Sequence, residues 1–297
     1  MSASAAIRPR RSVLYMPGSN ARAIEKARTL PADAVILDLE DAVAPDAKET
    51  AREQVVAAVT AGGFGRREVV IRVNGLDTPW GHDDLVAAAS SGADAVLIPK
   101  VSDPETIGSV ELALATARAP DALRVWAMIE TPIAILHAEE IARAARHETA
   151  RLACFVLGTN DIAKETRARF VPGRWTMLPW LTTVLAAARA HGLDVLDGVY
   201  NNLQDAEGFR AECEQGRDLG MDGKTLIHPN QIAVANEFFA PAAAEVEAAR
   251  KIIAAFDLPE NSGRGVISLD GRMVERMHAD MAARTVALAE AIAAAGS

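Results

Sequence analysis

The sequence predicts a (β/α)8 barrel of the TIM type followed by a helical lid or arm. Three observations predict it. Eight runs rich in Val, Ile and Leu recur along the chain, helix-patterned stretches separate them, and polar residues gather at the C-terminal ends of the runs. Strands that alternate with helices pair in parallel, and eight such repeats close a barrel. The rival is a doubly wound open sheet. No Gly-x-Gly-x-x-Gly turn follows the first run, which weighs against it.

In chain order, the spacing predicts strands at 12–16, 34–40, 68–74 and 95–100, then at 124–130, 151–158, 193–200 and 224–228. Between them, 20–30, 46–61, 82–91, 104–117, 133–146, 179–191 and 205–219 carry Ala, Glu, Lys, Arg and Leu at helical spacing. The stretch 165–178 breaks this rhythm. Pro172-Gly173 inside it and Pro179 after it make it a loop long enough to be functional. Past His228 the chain is too long for a barrel tail. Helices are expected at 231–239 and 242–256, a loop at 258–265, a short strand at 266–269, a turn at Asp270-Gly271 and a closing helix at 274–295. This divides the chain into a barrel domain, 1–230, and a lid and subunit-contact segment, 231–297.

The bulk composition bounds the function. A length of 297 residues, half of them hydrophobic, supports one large α/β domain with an appendage, or two domains. The net charge of −9 and the lack of any Lys/Arg block argue against a nucleic-acid binder. Local Arg and Lys can still serve an anionic substrate. Cys154 and Cys213 have no ligand-type spacing, so a reducing cytoplasm is expected. No apolar run approaches the roughly 20 residues of a membrane span. Residues 1–11 contain Arg and Ser without an apolar stretch and read as a short tail.

A polar side chain on an inner strand is costly unless it meets a partner or serves a site. Here Asp38, Glu40, Arg72, Asn74, Lys100, Glu130, Asn160, Asp161, Asp197 and His228 fall at strand ends, on the face where barrel enzymes place their chemistry. Asp38 and Glu40 share one side of their strand, as do Arg72 and Asn74 of theirs. Glu130 and Asp161 are hard oxygen ligands from separate segments, which is what a divalent cation needs. Glu130 alone could equally cap a helix or pair with a lysine; the second carboxylate favours a cation. Asp38 and Glu40 rank below this pair, because ion pairing explains them as well. Lys100 fits an ion pair better than a Schiff base, since a metal would already supply the electron sink.

Seven strings in order carry a resemblance: Arg11-Ser-Val-Leu-Tyr-Met-Pro-Gly-Ser19, Val35-Ile-Leu-Asp-Leu-Glu-Asp-Ala-Val-Ala-Pro45, Ile71-Arg-Val-Asn74, Leu97-Ile-Pro-Lys100, Ile129-Glu-Thr-Pro132, Leu157-Gly-Thr-Asn-Asp161 and Gly223-Lys-Thr-Leu-Ile-His-Pro229. From about residue 11 to about 285 the chain resembles the citrate lyase β-subunit-like CoA-ester lyases, which include malyl-CoA, β-methylmalyl-CoA and citramalyl-CoA lyases, within the HpcH/HpaI aldolase superfamily.

That resemblance implies a Mg²⁺-dependent barrel that cleaves or forms a C–C bond in a 3-hydroxyacyl-CoA, giving an acyl-CoA and a 2-oxo acid, in a homotrimer or hexamer. It implies Glu130 and Asp161 as metal ligands and Arg72 as the residue gripping a substrate carboxylate or enolate oxygen by paired hydrogen bonds. Asp38 and Glu40 become an acidic shell around Arg72, Lys100 or metal waters. Asp270 matches a catalytic acid that reaches a neighbouring subunit's site. Lys26 fits a CoA phosphate contact, although Asn20 stands where many relatives carry Arg. Asn74, His228 and Pro229 fall beside the substrate and CoA. Three other functions suit the same residues: a thioesterase using the same metal, a citrate lyase β subunit working with an acyl carrier protein, and a non-catalytic acyl-CoA sensor.

Overall fold

A computed structural model describes residues 7–147 and 149–296. The described residues form two compact units, one over 10–236 and one made of 237–296 together with 7–9. The barrel unit thus runs a few residues beyond the expected boundary at 230.

The first unit is a closed barrel of eight parallel strands, as the alternation predicts. They are β1 (Ser12–Pro17), β2 (Ala34–Asp38), β3 (Glu68–Arg72), β4 (Ala95–Ile98), β5 (Arg124–Ile129), β6 (Leu152–Leu157), β7 (Asp194–Asp197) and β8 (Gly223–Leu226). β8 pairs back onto β1 through Thr225 and Val13. Alternate residues fill the interior, because successive side chains of a strand point to opposite faces. Val13, Ile36, Val70, Leu97, Trp126, Val156 and Leu196 belong to this one buried cluster. The intervening residues, such as Leu14, Leu37 and Ile71, are equally buried. That two-sided burial is why the strands read as unbroken apolar runs.

The helices around it are α1 (Ala21–Ala27), α2 (Lys48–Ala61), α3 (Gly81–Ser91), α4 (Pro104–Thr116), α5 (Pro132–Leu136), α6 (Ala138–Arg143), α7 (Thr159–Thr166), α8 (Leu178–Ala190) and α9 (Ala206–Leu219). Side-chain caps start several of them: Asn20 for α1, Asp103 for α4, Thr131 for α5 and Asp205 for α9, each accepting a backbone N–H three residues on. The helix expected over 133–146 is broken at His137, whose φ and ψ of −96° and 10° leave the helical range. Its Nδ1 lies 3.0 Å from the Ser102 carbonyl oxygen, which ties the break to the loop after β4.

All strands but β1 end one to three residues earlier than expected, and at two of them a carboxylate turns the chain. The Asp38 carboxylate accepts the N–H groups of Glu40 at 2.9 Å and Ala42 at 3.1 Å, turning the chain out of β2. Asp197 does the same to Gly198 at 2.8 Å. The N-terminal end of the barrel is closed by Arg10. Its guanidinium meets both oxygens of Glu68 at 2.7 and 2.8 Å and Asp194 at 2.6 Å, and lies 4.8 Å from the Trp126 ring.

Helix α10 (Ile232–Phe238) leads out of the barrel unit. In the second unit α11 (Ala243–Asp257) precedes an antiparallel hairpin of β9 (Val266–Leu269) and β10 (Arg272–Glu275), followed by α12 (Arg276–Gly296). The expected closing helix at 274 therefore starts later, because Val274 and Glu275 pair with Ile267 and Val266. Asp270 and Gly271 form a two-residue loop with φ of 48° and 75°. Both central residues at positive φ define the primed hairpin turn that Asp-Gly favours. Phe256, Ile267, Val274 and Ala279 make this unit's own core. Among the described residues, no helix is long and apolar enough to cross a membrane.

Candidate active site

A cavity of about 320 Å³ opens at the C-terminal ends of the strands, lined by Tyr15, Asp38, Asp41, Arg72, Met128, Glu130, Gly158, Thr159, Asp161 and Thr225 among others. A larger groove, of about 480 Å³, runs over the outside between α4 and α6, away from these residues. Of the two, the mouth cavity is the one that gathers buried charge.

Arg72 ends β3 and is 7% exposed. Its Nε and Nη2 each donate to one oxygen of Asp38 at 2.6 Å, a bidentate fork. Nη1 lies 2.7 Å from Glu40 Oε2, an ion pair without hydrogen-bond geometry, and 3.6 Å from Asp41. With two backbone N–H groups on it as well, the Asp38 carboxylate has its four acceptor sites filled. Asp38 thereby holds Arg72. The expected paired grip of Arg72 on substrate is narrowed too: its Nε/Nη2 edge belongs to Asp38. Substrate oxygen is left with the Nη1 end. Burial raises the Glu40 carboxyl above its usual range, and Arg72 opposes this.

Glu130 directly follows β5 and is 2% exposed. Its Oε1 accepts the Lys100 N–H at 2.7 Å. Lys100 presents that N–H from a left-handed conformation, φ 51°, which a non-glycine residue adopts at a cost. Gly158 faces the same carboxylate: a Cβ there would stand 2.3 Å from Glu130 Cβ and 2.5 Å from Oε2. Burial raises the Glu130 carboxyl to about 7, with Glu40 and Asp161 adding to the rise. Asp161 lies in the first turn of α7, on the same cavity.

A buried carboxylate flanked by two others is an electrostatic condition that a divalent cation relieves. Glu130 and Asp161 offer the one or two hard carboxylates a Mg²⁺ site uses. Among the described residues no group of three His, Cys, Asp or Glu converges as a metal cage.

The other expected residues are spread out. The Asn74 amide donates to Leu39 O at 2.9 Å and Asp84 Oδ2 at 2.6 Å, so it ties loops together outside the cavity. Lys26 is exposed on α1. His228 caps the turn at Pro229, its Nδ1 accepting from the Asn230 N–H at 3.2 Å. Lys100 Nζ, largely exposed, is 3.6 Å from Glu40. Asp270 sits exposed at the hairpin tip in the second unit.

Sequence reasoning missed Tyr15, Met128 and Gly158 as cavity residues. It also missed a largely buried charge cluster next to Thr225 in sequence. There Lys224 Nζ meets Asp197 at 3.0 Å and Glu212 at 2.6 Å, while Arg174 meets Asp197 at 2.7 Å. Arg174 lies in the 165–178 loop, which is thus anchored by charge rather than free. A lysine inside a short strand was the available signal for this cluster.

Comparison with known proteins agrees with the geometry. Residues 11–229 match the family described as HpcH/HpaI aldolase/citrate lyase. The chain is 51% identical to a (3S)-malyl-CoA thioesterase of Cereibacter sphaeroides, over 97% of this chain and 98% of that one. It is 37% identical to an L-malyl-CoA/beta-methylmalyl-CoA lyase of the same species, over 97% and 96%. Among solved structures, Mycobacterium tuberculosis CitE in complex with magnesium, acetoacetate and coenzyme A superposes with a TM-score of 0.70 at 28% identity, covering 93% of this chain and 97% of that one. On the match over residues 11–229 and the whole-length similarity to these relatives, the chain belongs to the HpcH/HpaI aldolase/citrate lyase family.

Proposed function

We propose that this protein is a Mg²⁺-dependent enzyme acting on the CoA thioester of a 3-hydroxy acid, and that its reaction is hydrolysis of (3S)-malyl-CoA to malate and CoA. The observation that carries this is the whole-length 51% identity to a (3S)-malyl-CoA thioesterase, on a chain whose mouth cavity holds Glu130, Asp161 and Arg72. It moves hydrolysis ahead of the C–C cleavage suggested by the motifs.

Bound at Glu130 and Asp161, Mg²⁺ supplies Lewis acidity and a template for a chelating hydroxy or oxo acid. Arg72, held by Asp38 and Glu40, presents fixed positive charge to an anionic substrate without reorganising. Leu157, Val199 and Ile227 give the same cavity an apolar wall, and water entering it is the nucleophile that hydrolysis needs. Asp270 is the proton acceptor in this reading, delivered by a second copy in a homotrimer or hexamer. Its place at an exposed hairpin tip suits a residue that works in trans. Lys26, His228 and Pro229 are assigned to the CoA moiety.

A second reading, C–C cleavage to acetyl-CoA and glyoxylate, is favoured by the 37% identity to the lyase and uses the same pair of carboxylates. One assay separates the two. Purified protein is incubated with (3S)-malyl-CoA and Mg²⁺, and thiol, malate, acetyl-CoA and glyoxylate are all quantified. Free CoA with malate and no glyoxylate is expected. Acetyl-CoA with glyoxylate selects cleavage, and no turnover by folded protein overturns both.

A further inference from the structure

Three side chains from alternate barrel strands meet on one wall of the mouth cavity: Tyr15 of β1, Arg72 of β3 and Met128 of β5. Layers built from alternate strands are how such barrels fill their interior. The Tyr15 hydroxyl lies 3.9 Å from the Met128 sulfur, and Arg72 Nη1 lies 3.7 Å from the same sulfur. The Arg72 guanidinium stands 5.0 Å from the Tyr15 ring, which holds the phenol beside it. A thioether is a weak acceptor. The phenol therefore donates to an atom that satisfies it poorly. Beside it, Arg72 Nη1 stands 2.7 Å from Glu40 without hydrogen-bond geometry, while Nε and Nη2 donate to Asp38.

We propose that the Tyr15 hydroxyl and Arg72 Nη1 together form a subsite for one oxygen of a ligand carboxylate, and that Tyr15 selects substrates whose acyl group ends in a free carboxylate. Only the choice of malyl-CoA as that substrate rests on the function proposed above. An anionic oxygen is a far better acceptor than sulfur, and a hydrogen bond to a charged group is roughly twice as strong as a neutral one. Burial raises the phenol well above its usual range, so it stays a donor throughout neutral pH.

The test is calorimetric titration of L-malate in the presence of Mg²⁺ into wild type, Tyr15→Phe and Met128→Leu. Tyr15→Phe removes the hydroxyl and keeps the ring, and is expected to weaken L-malate by roughly 10- to 100-fold. Met128→Leu keeps both donors and should stay within about threefold of wild type. Titration with Mg²⁺ alone should be the same for all three. With malyl-CoA, Tyr15→Phe should raise KM more than it lowers kcat. Unchanged L-malate affinity in Tyr15→Phe overturns the subsite. So does an equal loss in Met128→Leu, which would make packing the cause, and so does a wild type that binds no L-malate. A protein that turns over no malyl-CoA yet loses L-malate binding on Tyr15→Phe keeps the subsite and loses the assigned reaction.

Discussion

At the N-terminal end of the barrel Arg10 is gripped by Glu68 and Asp194; at the C-terminal end Arg72 is gripped by Asp38 and Glu40. Both arginines are buried, both sit against an aromatic ring, and both are paired bidentately. They differ in what surrounds them. Arg10 is packed against the closed core under Trp126. Arg72 borders an open cavity, and the next acid along, Glu130, is held near neutrality by burial and by its acidic neighbours. A buried arginine with two carboxylates is thus no sign of function. The sign is an adjoining carboxylate that the protein leaves short of positive charge.

Four changes break or sharpen this contrast. The largest is Glu130→Gln, which removes a cation ligand and should cut turnover on the order of a thousandfold while the fold persists. Measured kcat across a Mg²⁺ series, with circular dichroism for the fold, checks it; near-normal turnover would remove the metal from the mechanism. Next is Arg10→Ala at the opposite end. It removes the guanidinium that Glu68 and Asp194 share and should cost about 3–5 kcal/mol of stability. Denaturant unfolding reads that loss, and kcat of the folded enzyme should change by less than about twofold, since Arg10 touches nothing in the cavity. Gly158→Ala comes third. The added Cβ meets Glu130, so activity should fall by roughly 10- to 100-fold from misplacement alone. A wild-type rate would show that Glu130 can give way. The smallest is Asp103→Ala, which strips the cap of α4 in the loop after β4, outside the cavity lining, and should cost about 1 kcal/mol with activity intact. Thermal melts beside steady-state rates test it.

The barrel was legible because its signal is repetition: eight apolar runs survive an error of several residues at any one end. The carboxylates of the proposed metal pair, Glu130 and Asp161, stood out because they are polar exceptions at the ends of apolar runs. The rest depended on long-range geometry. Nothing local ties Arg10 to Asp194, 184 residues away. Asn74 and Arg72 lie on one side of one strand, yet Asp84 draws the first away and Asp38 holds the second. Tyr15 was hidden in an apolar run, where a phenol looks like one more core ring. The break at His137 was hidden because an Ala- and Ile-rich stretch scores as helix whether or not a tertiary bond interrupts it. β10 was missed because Arg-Met-Val-Glu suits either state, and only pairing with β9 decides it.

Lys100 contributes to the site with two separate parts of itself. Its peptide N–H fixes Glu130, while its ammonium reaches loosely toward Glu40. The first contribution is invisible to alanine scanning, because every residue but proline carries that N–H. Lys100→Gly would even relax the left-handed backbone there. An engineer could therefore retune the charge at the mouth through position 100 without loosening the carboxylate behind it, provided the replacement is anything other than proline or a β-branched residue.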